Sequence, residues 1–491
     1  MKYQKGELGE IENSNNVKGY LTFYPFSSLR KDTEGIWIKY KGRDNSESLQ
    51  KLFKEKSIDF RKIDFKNDNI YIYYTKDDKE NYTEPRIIIA IDNSYDIECV
   101  IGIGLNQGIE NSMASIAEEK IQSFPGNEKY KKIAHDITLL AKLEYKTNNN
   151  IKLTKKELKF LYEIDSKIEC YFYDYQNFYY FYECHNIRYC DPRIIEIRNK
   201  RNVKKDLAYV FDCKEENIGT NITDFDTNKI IYYYGMLKWE KDFVPDTFKD
   251  LKRIIGGAYF SNLTNVKGLN NLRNIRGGAS FPNLTSAKGL ENLRYIGGYA
   301  DFKNLTNAQG LNNLRCINGT AYFDKLMNAE GLNKLQYIGN YACFSILTRA
   351  QGLNNLQYIG KNACFDNLIS AKGLEKLRYI GRDAEFNSLP NAEGLNSLEY
   401  IGKNAEFPNL ISAKGLDSLQ IIEEMAYFPK LITSEGLGSL QSIGSEAYFY
   451  SLTSAEHLCN LKYIGFGFIF EKLKSTKGLE NINIDYKDSN R

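Results

Sequence analysis

The stretch Leu284-Thr-Ser-Ala-Lys-Gly-Leu290-Glu-Asn-Leu293-Arg-Tyr-Ile296-Gly-Gly-Tyr-Ala300-Asp-Phe302-Lys-Asn-Leu305 decides the fold of the second half of the chain. Its pattern recurs every 21 residues, eleven times from Leu251 to Asn481, without an insertion. With each unit numbered from its first Leu, position 1 is always Leu (Leu251 to Leu461) and position 4 always Ile (Ile254 to Ile464). Position 10 is always Phe (Phe260 to Phe470), and positions 13 and 19 are always Leu (Leu263 to Leu473, Leu269 to Leu479). Position 8 is Ala in ten units, with Phe468 in the last, and position 18 is Gly in ten, with His457 the exception. Position 16 is Ala in eight units, otherwise Val266, Ser434 and Thr476.

One such unit cannot bury its own apolar residues. Stacking places each column above its equivalent and turns the columns into continuous internal ladders, so the repeat predicts a parallel β-solenoid. Ala-x-Phe has the period of a strand, with positions 8 and 10 inward and 7, 9 and 11 outward. At ~4.8 Å per rung, eleven coils make a body roughly 50 Å long. Position 15 is Asn, Ser or Thr in every unit but one (Arg349), as a corner requires. Gly at position 18 suits a corner with φ > 0 or close coil-to-coil approach.

The unit Leu284-Thr-Ser-Ala-Lys-Gly-Leu290-Glu-Asn-Leu293-Arg-Tyr-Ile296 resembles a leucine-rich repeat, most closely the bacterial type related to receptor L-domains. The resemblance covers residues 251–481 and implies a parallel solenoid used as a binding scaffold. It carries no information about the ligand. The chain departs from the commonest pattern in having Ala-x-Phe and no invariant Asn column, which leaves a curved horseshoe and a straighter β-helix both open.

Function is expected in the columns that vary. Position 9 presents Tyr259, Asp301, Tyr322, Cys343, Cys364, Glu385, Glu406, Tyr427 and Tyr448, and position 7 adds Tyr299, Tyr341 and Asp383. Tyr is large, amphipathic and poor in rotors, which suits it to protein-binding hot spots. Those Tyr and carboxylate residues are therefore the candidate partner-binding surface, although an exposed β face also favours Tyr through cross-strand stacking. Position 3 forms a second Tyr column (Tyr295, Tyr337, Tyr358, Tyr379, Tyr400, Tyr463), regular enough to be read as structural. Position 2 adds Arg273, Arg294, Arg315 and Arg378. Residues 251–376 carry fifteen Lys and Arg against six Asp and Glu, net +9, whereas residues 377–460 are net −6. Such a surface orients partners, unless it is drift among solvated positions.

Residues 482–491 are polar and are read as a C-terminal cap or tail, and Val244–Asp250 as the N-terminal cap or junction. The first 250 residues lack the repeat and are expected to be an α+β module in two parts. Residues 1–110 are β-rich, with strand-like runs at Tyr20–Tyr24, Ile36–Tyr40, Ile70–Tyr74 and Arg86–Ile91. Residues 111–250 are helical or α+β: Asn127–Lys146 has helical apolar spacing, Thr154-Lys-Lys-Glu157 is a capping box, and Asp191-Pro192 opens another helix. Ile230–Tyr234 reads as a late strand. An insert at 171–189 is densely aromatic and includes Tyr179 and Tyr180. With the following Arg198, Lys200, Arg201, Lys204 and Lys205 it offers candidate nucleic-acid contacts, against the plainer reading of a packed Tyr-rich hairpin and a solvated helix.

Across 491 residues the formal charge is only +3, which excludes a highly basic nucleic-acid coat. The 37 Tyr, 27 Phe and 36 Gly against 9 Pro exclude collagen, a Pro-rich linker and a membrane bundle. The longest apolar run, Ile87–Ile91, is far short of the ~18 residues of a membrane span. No secretory h-region opens the sequence, and none of the nine Cys forms a CxxC pair. The expectation is a cytoplasmic protein with reduced thiols. No catalytic motif, phosphate loop or metal-ligand spacing is visible, and Cys184-His185 with Cys190 falls short of a zinc set. No metal and no cofactor is expected, and an enzyme is less expected than a binding protein. Three functions stay open: recognition or inhibition of a protein partner, binding of nucleic acid or a ribonucleoprotein such as a nucleic-acid-directed defence complex, and an effector or toxin activity in residues 1–250.

Overall fold

The computed structural model describes residues 23–24, 33–55, 69–77, 79–91, 97–102, 109–110, 113–124, 127–168, 192–480 and 482–484. The chain divides into two compact units, Met1–Asn202 and Val203–Arg491. The first holds an antiparallel sheet with helices and the second a parallel β-solenoid.

In the first unit the strands Gly35–Lys41, Asn69–Lys76, Tyr82–Ile91 and Ile97–Gly102 form a four-stranded antiparallel sheet in that order. Alternate side chains of Tyr82–Ile91 enter two cores. Ile87, Ile89 and Ile91 pack with Met113, Ala117 and Ile121 around the helix Ala114–Gln122. Ile88 and Ala90 pack with Leu49 and Phe53 of the helix Gly42–Glu55. A sheet covered on both faces needs a continuous apolar strand, which explains Ile87–Ile91 without any membrane. The expected helices occur at Asn127–Asn148, Lys155–Leu161 and Pro192–Asn199. Thr154 caps its helix reciprocally with Glu157, and the Lys146 ammonium donates to the Glu157 carboxylate at 2.7 Å. Of the strand expected at Tyr20–Tyr24, Phe23–Tyr24 is described, paired in parallel with Ile109–Glu110. The aromatic insert lies outside the described residues.

The second unit shows why the 21-residue period is strict. Each coil crosses two parallel sheets, one through positions 3–4 and one through positions 8–9, as in Tyr358–Ile359 and Ala363–Cys364. From coil to coil the strands pair residues 21 apart, so an insertion would break register in both sheets. Position 15 makes a third, discontinuous line of pairing, with single bridges such as Ser286↔Asn307 and Ser412↔Thr433. The coil is thus three-sided, with seven inward columns at positions 1, 4, 8, 10, 13, 16 and 19. From Leu251 to Phe428 these side chains are sealed from solvent, Ala258 being the most exposed at 1%. The Phe rings stack rung on rung from Phe260 to Phe470, with centroids 4.9–5.6 Å apart and planes within 14°.

The position 18 glycines meet both requirements of a corner. Their φ values lie between +96° and +115°. From Gly289 onward a Cβ there would stand 2.1–2.3 Å from the carbonyl oxygen of position 16 in the coil before. Two other corners carry a hydrogen-bond ladder that the sequence pattern did not announce. At position 12, Asn283, Asn304, Asn367 and Asn409 each donate to a backbone carbonyl 22 residues earlier, at 2.6–2.7 Å. At position 21, Asn271, Asn292, Asn313 and Asn460 do the same at 2.6–2.7 Å.

The stack begins before its first regular unit. Tyr232–Tyr234 and Leu237–Trp239 pair with the first coil in both sheets, with Trp239 in the place of the ladder Phe and Phe248 buried at position 19. Ile218–Gly219 adds one strand before that, and Asn483–Ile484 one after the last coil. The sheets accordingly hold fourteen and twelve strands.

Candidate functional site

The outer face of the second sheet gathers the partner-binding candidates onto one surface. Inward Ala at position 8 and Phe at position 10 anchor each strand, which forces positions 7 and 9 outward. Tyr259, Asp301, Tyr322, Glu385, Glu406, Tyr427 and Tyr448 stand in one column, and Tyr299, Tyr341 and Asp383 in its neighbour. Tyr259 is exposed at 39%, and the others are half-buried because each rung covers part of the next.

Within this face the side chains are ordered by contacts along the stack. The Lys303 ammonium lies 4.7 Å from the centre of the Tyr322 ring, and the Lys361 ammonium 5.6 Å from that of Tyr341. Asn362 donates to Asp383 at 2.8 Å and to Glu385 at 3.2 Å. Tyr427 and Tyr448 meet edge to face at 5.9 Å. Burial, then the charges of Glu385 and Asp383, hold the Glu406 carboxyl above the usual glutamate range. Burial, then Asp301, raises Tyr299. At the centre Cys343 and Cys364 are register neighbours with hydrogen-bonded thiols. That bond holds Cys364 far above and Cys343 below the ordinary thiol range. The arrangement is a rigid strip of aromatic rings around a carboxylate cluster.

The candidate nucleic-acid contacts are not gathered in this way. The Arg198 guanidinium donates to the Leu161 carbonyl at 2.8 Å and pairs with Glu163 at 3.3 Å. Lys200 donates to Asn148 at 2.8 Å, and Lys204 pairs with Asp224 at 2.9 Å. Arg201 lies in the first compact unit and Lys204 and Lys205 in the second. Tyr179 and Tyr180, like Cys184, His185 and Cys190, lie outside the described residues. Among the described residues no three His, Cys, Asp or Glu side chains come together as a metal site, and no helix is long and apolar enough to cross a membrane.

Position 3 forms the stacked column expected of it. Tyr337, Tyr358, Tyr379 and Tyr400 lie 4.7–4.9 Å apart with planes within 5°. Position 14 was not singled out by its sequence. It exposes Met327, Ile369, Ile411 and Ile432 by 46–62% in one column on the third side of the coil. The signal was present as a switch from Thr to Met and Ile along that column.

Neither protein-family models nor curated proteins match this chain.

Proposed function

We propose that this is a recognition protein that captures a protein partner on the outer face of its second sheet, in the manner implied by the leucine-rich-repeat resemblance. The observation that carries the reading is the strip itself: Tyr259, Tyr299, Tyr322, Tyr341, Tyr427 and Tyr448 set around Asp301, Asp383, Glu385 and Glu406 on one scaffold. Binding there costs little conformational entropy, since the rungs already order the side chains. Large rings flanking carboxylates suit a partner presenting Lys or Arg among apolar groups. Inhibition of that partner would follow from occupying its surface, and residues 1–202 would then couple capture to its consequence.

The test is affinity capture of native partners with full-length protein and with Tyr322→Ala/Glu385→Ala. Both side chains are outward, so the melting temperature should change little. The partner recovered by the wild type should be lost or at least roughly tenfold depleted in the variant, as for a hot-spot pair. Equal recovery by both proteins would place recognition elsewhere.

A further inference from the structure

The edge of the coil that leads into the first sheet carries a different chemistry. Position 2 opens as Lys252, Arg273, Arg294 and Arg315 on four successive coils, all exposed. Their backbones are directly bonded rung to rung: Arg273 donates to Lys252, Arg294 to Arg273 and Arg315 to Arg294 at 2.8–2.9 Å. Like charges held side by side at ~4.8 Å repel one another. Further along the same column the charge is compensated, Arg378 pairing with Glu399 at 3.7 Å. Among the described residues no carboxylate pairs with any of the first four. They form an unpaired cationic track parallel to the stack.

Beside the end of that track the Tyr column is interrupted. Every Tyr at position 3 is followed two residues later by Gly, as in Tyr295-Ile-Gly297 and Tyr379-Ile-Gly381. The rings of Tyr295, Tyr358, Tyr379 and Tyr400 lean over that Gly alike, a ring carbon 3.1–3.3 Å from where its Cβ would stand. Between Tyr295 and Tyr400 one coil departs from the pattern. It has Cys316 and Asn318, leaving Tyr295 and Tyr337 two rungs apart, roughly 9.6 Å, with the Cys316 thiol and the Asn318 amide in place of a ring, the thiol donating to the Asn318 oxygen at 2.9 Å. The Tyr337 ring stacks on Tyr358 on one side, at 4.9 Å, and looks onto Cys316 on the other. The Tyr295 ring has the Arg276 guanidinium 5.8 Å from its centre, and its hydroxyl is held by Arg276 at 2.6 Å and Asn318 at 2.7 Å. Burial pushes the Cys316 thiol up to about 11, so the floor of the gap is uncharged at neutral pH. A planar ring stacked on both sides at about 3.4 Å per step needs less room than two rungs give.

We propose that this edge and the adjoining outer face of the first sheet bind single-stranded nucleic acid, with phosphates on Lys252, Arg273, Arg294 and Arg315 and one base between Tyr295 and Tyr337 above Cys316. The site is separate from the protein-binding strip and does not rest on it. A cationic track beside a stacking slot is the pairing that single strands require, since each phosphate needs a charge and each base a ring. The Asn318 amide donates to Tyr295 and accepts from Cys316, which leaves one N–H and one oxygen lone pair for a base edge.

The experiment measures fluorescence anisotropy of a fluorescein-labelled oligouridylate of about 20 nucleotides with the full chain across a salt series. Four phosphate contacts predict micromolar or tighter binding at low salt and a log–log salt slope of about −2.8. Arg273→Gln/Arg294→Gln/Arg315→Gln should leave a slope of about −0.7. Cys316→Tyr/Asn318→Gly writes the repeat's own Tyr-x-Gly into the gap and so closes it with a motif the fold already uses. It should weaken binding roughly tenfold while leaving the slope unchanged. Ser442→Tyr, which writes the same Tyr-x-Gly motif with Gly444 into the column away from the gap, should bind as the wild type. The proposal is overturned by no binding at low salt, an unchanged slope in the triple variant, or undiminished affinity when the gap is filled. Inorganic polyphosphate displacing the oligonucleotide equally well from the wild type and the filled variant would also overturn it, by showing a polyanion track without base recognition.

Discussion

At the scale of single residues the fold rests on two kinds of position. Phe365 has its ring stacked on Phe344 at 5.2 Å and Phe386 at 5.3 Å, and no part of it reaches solvent. Phe365→Ala should destabilise the solenoid by roughly 3–5 kcal/mol in denaturant melts, and a loss below about 1 kcal/mol would mean the ladder contributes little. Gly373 has φ of +115° and its Cβ would stand 2.2 Å from the Ala350 oxygen. Gly373→Ala should therefore cost more than about 1 kcal/mol. Gly438→Ala, where nothing lies closer than 4.0 Å, should be neutral or slightly stabilising in the same melts. The columns that only one residue type can fill were legible in the sequence for this reason. The Asn rungs at positions 12 and 21 were not, because Ser388 and Ser418 make the same bond to a carbonyl 22 residues earlier, at 2.6–2.7 Å. A role that two residue types share leaves no invariant column.

At the scale of the element, each coil is a closed path with three sides. Ala-x-Phe announced the second sheet through its strand period. The first sheet was harder to see, since one inward residue, the Ile at position 4, marks each strand, as at Tyr358–Ile359, with no second inward residue two positions on to show a strand period. Position 3 was legible as structural through its Tyr, but its partner Gly at position 5 and the break at Cys316 gain meaning only when rungs are seen stacked. The carboxylate cluster of the second sheet yields a prediction about pH. The folded state holds Glu406 above the ordinary glutamate range through burial and the nearby Glu385 and Asp383. A carboxyl raised on folding favours the native state below its unfolded pKa and loses that contribution as pH rises through the folded one. Glu406→Gln should therefore raise the melting temperature at about pH 7, with the gain shrinking toward about pH 4. An equal gain at both pH values would mean the Glu406 charge carries no penalty in the fold.

At the scale of the molecule, a net charge of +3 conceals a division between faces and between halves. Arg378–Glu399, Lys403–Glu424 and Lys414–Glu435 pair across successive coils at 3.1–3.7 Å, so the acidic half compensates three of its five cations. The early coils leave Lys252, Arg273, Arg294 and Arg315 uncompensated. The start of the stack was partly legible. Ile230–Tyr234 reads as a strand from its apolar and aromatic run, yet its place in the solenoid is hidden, because Tyr233, Leu237 and Trp239 stand where later coils use Ile, Ala and Phe. A capping coil faces solvent on one side, so it is free of the packing that makes the others identical.

On the two proposals together, one rigid scaffold offers two independent outward faces, the second sheet to a protein and the first to a nucleic-acid strand. The most direct measurement is a cross-comparison of partner capture and oligouridylate anisotropy for Tyr322→Ala/Glu385→Ala and for Arg273→Gln/Arg294→Gln/Arg315→Gln. The first variant should lose the protein partner and keep the oligonucleotide, and the second should do the reverse. Loss of both activities in either correctly folded variant, or of neither in both, would contradict the independence of the two faces.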